Sequence, residues 1–386
     1  MENGTDWIIE NIKRVSQRFR GRKAGSKSVM DCLSKMAEEL SQWSDSVTKL
    51  PFSFRPDAFV GSFRIAGVCG ILAATAVWLS FFLGSAALSA VSTLLYLVGI
   101  TTLVFEFILY KSPVDPFFKK KTSFNVLAVR RAGISSDRKL ILCAHADAAY
   151  EMPLMNTMKP WILSALLAIG VIGMAVFPFF GGAPTLALCL AETAVTPVYA
   201  VFLDFVDLKT VVDGANDDLS GCCVIMSVFR ELSERNIRLP HTDVCCLITD
   251  GEECGLRGAD AFAREHGEEL KNAVIVAVDT ISDPKEFRIY HRGISFTQKN
   301  SERVCGLIRR AGLGCGMDIP KTGFYPGAND ADAFSRCGFP AAALCAVAHK
   351  PSPYYHFRLD TWESLDPEAL ASARNILLKL IECSGA

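Results

Sequence analysis

Several things are scarce in this sequence, and each scarcity excludes something. Charged residues make up only 21% of the 386, below the quarter usual in soluble chains. Neither sign is in surplus: 40 Lys and Arg face 41 Asp and Glu, a net charge of −1, which removes nucleic acid as an expected partner. No Cys-x-x-Cys pair occurs among the 14 cysteines, so a thiolate zinc site is not indicated. Their spacing suggests no disulfide framework. Cys222-Cys223 and Cys245-Cys246 are adjacent pairs in apolar runs and read as reduced core residues of a reducing compartment. Residues 1–50 are amphipathic and charged, without the apolar stretch of a signal peptide. Repeats and low-complexity segments are lacking as well.

Apolar residues are plentiful instead. They form half of the chain, and the mean hydropathy is +0.27. Residues 65–83 and 86–105 are two uncharged runs separated by Gly84-Ser85, and residues 161–180 and 184–205 form a second pair. Each has about the 20 residues a helix needs to cross a bilayer core of about 30 Å. The fourth run contains Glu192 and Pro197, and an ionisable group there costs roughly 2.5–3.5 kcal/mol unless shielded. Two buried hairpins of a soluble core are the bland alternative, but four such runs are hard to hide in one soluble domain. The tips, near Gly84 and at Gly181-Gly182-Ala183, lack Lys and Arg. The other side carries Arg55, Arg64, Lys111, Lys119, Lys120, Lys121, Lys159 and Lys209. The positive-inside rule then places both termini and the polar chain in the cytoplasm of a multi-pass membrane protein. The expected layout is a catalytic domain in three pieces, 1–62, 111–159 and 207–386, interrupted by transmembrane hairpins at 63–110 and 160–206.

The polar chain alternates apolar strands with helices. Strands are expected at 139–144, 244–249, 273–278 and 339–347, and helices at 7–43 (broken near 20–26), 220–234, 258–266 and 366–383. Fully apolar strands alternating with helices imply an α/β domain of three layers, its mainly parallel mixed sheet covered on both faces. Polar groups that act in such sheets gather at the carboxyl ends of the strands.

Five clusters lie at those ends: His145-Ala146-Asp147, the segment 214–221 (GANDDLSG), the segment 250–258 (DGEECGLRG), Asp279, and Tyr355-His356 with Asp360-Thr361 following. Each alone has an ordinary explanation. A histidine after a strand is commonly just hydrogen-bonded, Asp-Asp before a helix is commonly an N-cap, and an Asp closing a strand is commonly turn chemistry. Together they place several carboxylates where desolvation is costly and where mutual repulsion calls for a cation. Imidazole with carboxylate suits zinc, and a carboxylate can bridge two metals about 3.5–4 Å apart.

The order HxD, GANDDxSG, DGEExGLxG, strand-Asp and YHxxxDT resembles that of the M28 family of zinc exopeptidases over nearly all of the polar chain. Residues 20–26 resemble the start of that domain. Residues 327–340 resemble the family's SDHxxF…GIP segment, with Asn329 and Ala331 replacing its serine and histidine. The resemblance implies a two-zinc exopeptidase, an aminopeptidase acting on peptides, which the apolar hairpins would anchor in the membrane. His145, Asp217, Glu253, Asp279 and His356 would hold the metals, Asp217 bridging them, and Glu252 would be the general base. Asp147 joins Glu252 as a catalytic residue, and Asp147 and Asp360 are expected to orient His145 and His356. Because the second hairpin separates the HxD cluster from Asp217, the site is expected close to the cytoplasmic membrane surface. His291 and Tyr325 are weaker candidates for substrate contacts; His241, His266 and His349 read as ordinary. A glutaminyl-cyclase-like acyltransferase, which shares the fold family, and a non-catalytic membrane scaffold are the competing readings.

Overall fold

A computed structural model describes residues 4–182, 184–293, 299–323, 327–347 and 354–385. Tyr325 and His349 lie outside the described residues. The helices are α1 (Gly4–Arg18), α2 (Lys27–Leu40), α3 (Pro56–Leu83), α4 (Ala86–Leu103), α5 (Pro160–Val176), α6 (Leu186–Asp204), α7 (Ser220–Glu234), α8 (Arg257–Glu265), α9 (Glu302–Gly314), α10 (Asp330–Arg336) and α11 (Pro367–Gly385). Eight strands form the main sheet: β1 (Ser46–Phe54), β2 (Lys121–Arg130), β3 (Arg138–His145), β4 (Thr242–Thr249), β5 (Ala273–Ile281), β6 (Arg288–Arg292), β7 (Lys321–Gly323) and β8 (Ala341–Ala346). The chain divides into two compact units, one of residues 1–54, 120–150 and 210–386, the other of residues 55–119 and 151–209. These limits fall outside the 63–110 and 160–206 read from the uncharged runs, because α3 begins at Pro56 and carries Arg64 within it.

In the first unit the sheet order is β1-β2-β4-β3-β5-β8-β6-β7. The centre is parallel, β3 pairing with β4 and β5 and β8 with β5, whereas β1, β2 and the β8–β6 pair are antiparallel. This is the mixed, mainly parallel sheet of a three-layer α/β domain. Alternation along each central strand divides the layers. Leu140, Leu142 and Ala144 face one core with Val244, Cys246, Ile248, Val276 and Val278, packed against α1, α2, α7, α9 and α11. Cys143, His145, Thr249, Ala277 and Asp279 occupy the alternate positions, so the polar ends of β3, β4 and β5 share the opposite face. The chain break expected near 20–26 separates α1 from α2, whose N-cap Ser26 accepts the N–H of Val29 at 3.2 Å.

The second unit contains four helical stretches, 56–83, 86–108, 161–180 and 186–204, that are long and apolar enough to cross a membrane. Gly84, at φ 64°, ends α3, and Ser85 caps α4. Gly70 and Gly173 pack onto Tyr199; a Cβ at either would lie under 3 Å from it, the close approach small residues permit between apolar helices. Glu192 is buried within the unit and accepts the Tyr96 hydroxyl at 3.0 Å, the shielding an acid in such a helix requires. All 14 cysteines are free.

Candidate metal centre

His145 ends β3, and its side chain lies on the same face as Cys143. Asp147 follows in the loop. His145 Nδ1 lies 3.1 Å from the Asp147 carbonyl and 3.5 Å from its Oδ1. The same carboxylate reaches the next loop, accepting the backbone N–H groups of Glu252 and Glu253 at 3.2 Å each. Asp147 therefore steadies the imidazole and the Glu252-Glu253 pair together.

Asp217 occupies the middle of the site. Its Oδ1 lies 3.2 Å from His145 Nε2 and its Oδ2 3.2 Å from His356 Nε2, so each oxygen faces a different histidine. His356 Nε2 is also 3.4 Å from Glu253 Oε2, and His145 Nε2 is 3.9 Å from Glu252 Oε2. The peptide bond between Asp217 and Asp218 is cis. The two neighbours have separate duties. Asp218 Oδ1 accepts the N–H groups of Gly221 at 2.9 Å and Thr280 at 3.1 Å, and its Oδ2 that of His145 at 3.3 Å. Asp218 thus binds the first turn of α7 and ties three site-bearing segments, although the N-cap residue itself is Leu219.

Among the described residues, two donor groups bring their atoms within 4.8 Å of one another: His145 with Asp217 and Glu253, and His145 with Asp218 and Asp279. Asp218 was not among the candidate ligands; the one signal for it was its place beside Asp217. Asp360 departs from expectation. Its Oδ1 accepts the backbone N–H of Asn216 at 2.7 Å and the Asn216 amide at 3.0 Å, and its Oδ2 the backbone N–H of Asp217 at 3.1 Å. Among the described residues it orients the Asp217 loop rather than the His356 ring, because the loop's unpaired N–H groups point at it. Asp250, in the DGEE turn, likewise faces away from the histidines, accepting the Gly25 N–H at 3.1 Å and the Ser123 hydroxyl.

Arg22, fully buried, joins the loops that carry His145 and Asp217. Its Nε donates to the Ala146 carbonyl at 3.0 Å, and its Nη2 to the carbonyls of Asp213 at 2.7 Å and Gly214 at 3.1 Å. Sequence reading missed it; its place in the 20–26 stretch was the only hint. Of the weaker candidates, His291 lies near the end of β6, two strands beyond the strand of Asp279. His241 sits at the surface beside Ser135, and His266 stacks on Phe262.

Burial and repulsion mark the centre as cation-seeking. Burial pushes Glu253 up to about 8, and burial with the charge of Asp217 pushes Asp279 up to about 6. Burial also holds Glu252 well above the carboxylate range, against the pull of His145. Burial works against a charged His356, yet Glu253 and Asp217 raise it to about 9. Asp217 alone moves down, since its contacts with His145 and His356 outweigh its burial. Among the described residues, His145 Nε2 and Glu253 Oε1 are buried without a hydrogen-bond partner, two ligand-type atoms whose desolvation a metal would offset.

The family model described as "Peptidase family M28" matches residues 196–381. This segment belongs to peptidase family M28. Solved structures of similar fold include the Aneurinibacillus sp. strain AM-1 aminopeptidase, 14% identical, with TM-score 0.60 over 98% of this chain and 93% of that one. A Zn-dependent exopeptidase from Parabacteroides distasonis is 12% identical, with TM-score 0.57 over 98% and 97%. The Fimbriiglobus ruber glutaminyl cyclase is also 12% identical, with TM-score 0.60 over 98% and 95%. At these identities the likeness establishes the fold. The M28 match begins within α6, so His145 lies outside it.

Proposed function

We propose that this M28 chain is a membrane-anchored zinc exopeptidase of the aminopeptidase type, using two metal ions and Glu252 as general base. The observation that carries the reading is Asp217, one oxygen toward His145 and the other toward His356, each at 3.2 Å. That arrangement suits a carboxylate shared by two ions. His145, Asp217 and Asp279 would hold one ion, and Asp217, Glu253 and His356 the other. Such ions lower the pKa of a water and polarise a scissile carbonyl. Glu252, held by its backbone N–H to Asp147, takes the proton from the attacking water and delivers it to the leaving amine. Burial holds its carboxyl above the usual carboxylate range, the direction that favours taking up the proton.

A second reading, glutaminyl-cyclase-like acyl transfer, is favoured by the glutaminyl cyclase among the similar structures. Detergent-solubilised full-length protein, assayed on aminoacyl, dipeptide and N-terminal Gln substrates with and without chelator, separates the two. Chelator-sensitive hydrolysis supports the peptidase, and pyroglutamate formation the cyclase. Neither product in the zinc-loaded protein would defeat both.

The four apolar helices serve as the anchor, with the Lys- and Arg-rich ends placing the catalytic unit in the cytoplasm. Exposed Cys315 is a reporter of side. A membrane-impermeant maleimide should label it only after the cells are opened; labelling of intact cells would reverse the topology.

A further inference from the structure

The two hairpins of the second unit lie in register. At their tips the Ser89 hydroxyl donates to the carbonyls of Gly181 at 2.9 Å and Gly182 at 2.8 Å, and at the other end Arg64 donates to the Val206 carbonyl at 3.3 Å. The starts of the stretches 56–83 and 161–180 and the ends of 86–108 and 186–204 therefore share one end of the unit. Defined contacts shape the chain there. Arg55 Nε donates to the Phe118 carbonyl at 3.1 Å, and Glu106 Oε1 accepts the Val114 N–H at 3.1 Å. The Phe118 ring packs on Gly61 so closely that a Cβ there would lie under 3 Å from it. With Phe118 turned inward, its neighbour Phe117 is turned out and is 83% exposed. Trp161, the second residue of α5, is 69% exposed. Each ring stands two residues from an exposed lysine, Phe117 from Lys119 and Trp161 from Lys159.

Lys111 and Lys209 are exposed at the same end. Against these four lysines, Asp204 is the one exposed acid of the unit among the described residues. None of the four makes an ion pair with a described residue, whereas Lys27, Lys321 and Lys379 of the first unit each meet an acid at 2.6–2.8 Å. The charge at this end is thus left for an anion from outside the chain. A soluble anion would account for the lysines alone, since it gives Phe117 and Trp161 nothing to bury against. A bilayer surface accounts for both: aromatic rings settle at headgroup level, and an anionic leaflet attracts lysines that flank a membrane span. The long apolar stems of the lysines let their ammonium groups reach that layer from beside the helices.

We propose that this end of the second unit is a binding surface for anionic phospholipid, its lysines meeting headgroup phosphates while Phe117 and Trp161 lie among the headgroups. This rests on the membrane-anchor reading given above. The test uses the full-length protein reconstituted in phosphatidylcholine vesicles containing phosphatidylglycerol. Quenching of Trp78 and Trp161, the two tryptophans of the apolar helices, by the brominated form of each lipid gives the relative binding constant. One lysine near an anionic surface contributes a factor of about 5, so the wild type should favour phosphatidylglycerol by about 5-fold or more. High salt screens exposed charges and should bring the ratio towards unity. The Lys119→Gln/Lys159→Gln protein should bind the two lipids within about 2-fold of each other at low salt. Lys27→Gln, which removes a paired lysine of the first unit, should leave the wild-type ratio. A double variant that keeps the full preference overturns the proposal, as does a Lys27→Gln protein that loses it equally. So does a wild type that binds both lipids alike or whose preference salt does not weaken, results that need no variant to fold. A protein that stays in solution without detergent or lipid defeats the membrane reading and this proposal with it. One that inserts yet treats the two headgroups alike defeats this proposal alone.

Discussion

Asp360 holds Asp217 by its backbone: Oδ2 of the first accepts the N–H of the second at 3.1 Å. The Asn216 N–H goes to the other oxygen at 2.7 Å, so one buried carboxylate sets the loop from which Asp217 reaches both histidines. Groups that position metal ligands typically contribute 10–100-fold to metal affinity. Asp360→Ala should therefore lower zinc affinity by roughly that factor without removing a ligand. Competition with a chromogenic chelator measures it, and an unchanged affinity would show that the loop holds its shape without Asp360.

Much of this centre is legible in the sequence because His145 and Asp279 lie at the ends of apolar strands, Glu253 in the turn after one, and Asp217 just ahead of a helix, whereas His356 lies in a loop. The strands expected at 139–144, 244–249 and 273–278 are β3, β4 and β5, each extended by a residue or more, and the helix expected at 220–234 is α7. The antiparallel side of the sheet is not legible. β1 contains Pro51 and exposed polar positions, as an edge strand can, and a local pattern does not distinguish it from a loop. β6, β7 and α9 are short or weakly apolar. Within the site, side-chain types revealed which groups could bind metal, but not the direction in which they face. Asp360 looks like the acceptor for His356 and instead takes the backbone N–H groups of Asn216 and Asp217, remote in sequence. Arg22 is invisible for the same reason: its partners are carbonyls, which every residue has.

Glu252 separates chemistry from metal binding. Glu252→Gln keeps the shape of the side chain but cannot take a proton. A positioned base contributes about 10²–10⁴-fold, so kcat should fall by about that much while zinc content and substrate binding stay near wild type. Single-turnover kinetics with metal analysis on the same sample checks this. Loss of zinc together with activity would mean that Glu252 is a ligand instead.

Arg22 is a stability prediction. Its guanidinium bonds carbonyls on both sides of the 147–212 segment, and Arg22→Ala leaves those buried acceptors unsatisfied. Such losses cost roughly 1–3 kcal/mol per group. A total of about 3 kcal/mol corresponds to a melting temperature lower by roughly 6–12 °C. Arg22→Lys, which can reach one carbonyl but not three, should fall between. Scanning calorimetry of the zinc-loaded proteins distinguishes this from a pure metal effect, because saturating zinc should not restore the wild-type value.

The metal-free protein should respond to pH in the opposite sense to the zinc-loaded one. Folding raises Glu253 from 4.5 to about 8, Asp250 from 3.8 to about 8 and His356 from 6.5 to about 9. In each case the folded state binds its proton more tightly than the unfolded chain does. The stabilisation is therefore present at low pH and is lost as the pH rises through the folded-state values. Between pH 6 and 9 these groups act in one direction, so chelator-treated protein should melt lower at pH 8.5 than at pH 6. Zinc needs Glu253 and His356 deprotonated, so its affinity, and the melting temperature it supports, should rise over that interval. Thermal melts at the two pH values, with EDTA and with zinc, read both slopes. A chelated protein as stable at pH 8.5 as at pH 6 would mean that the acids and histidines of the centre are satisfied without a metal, and the case for a cation there would fail.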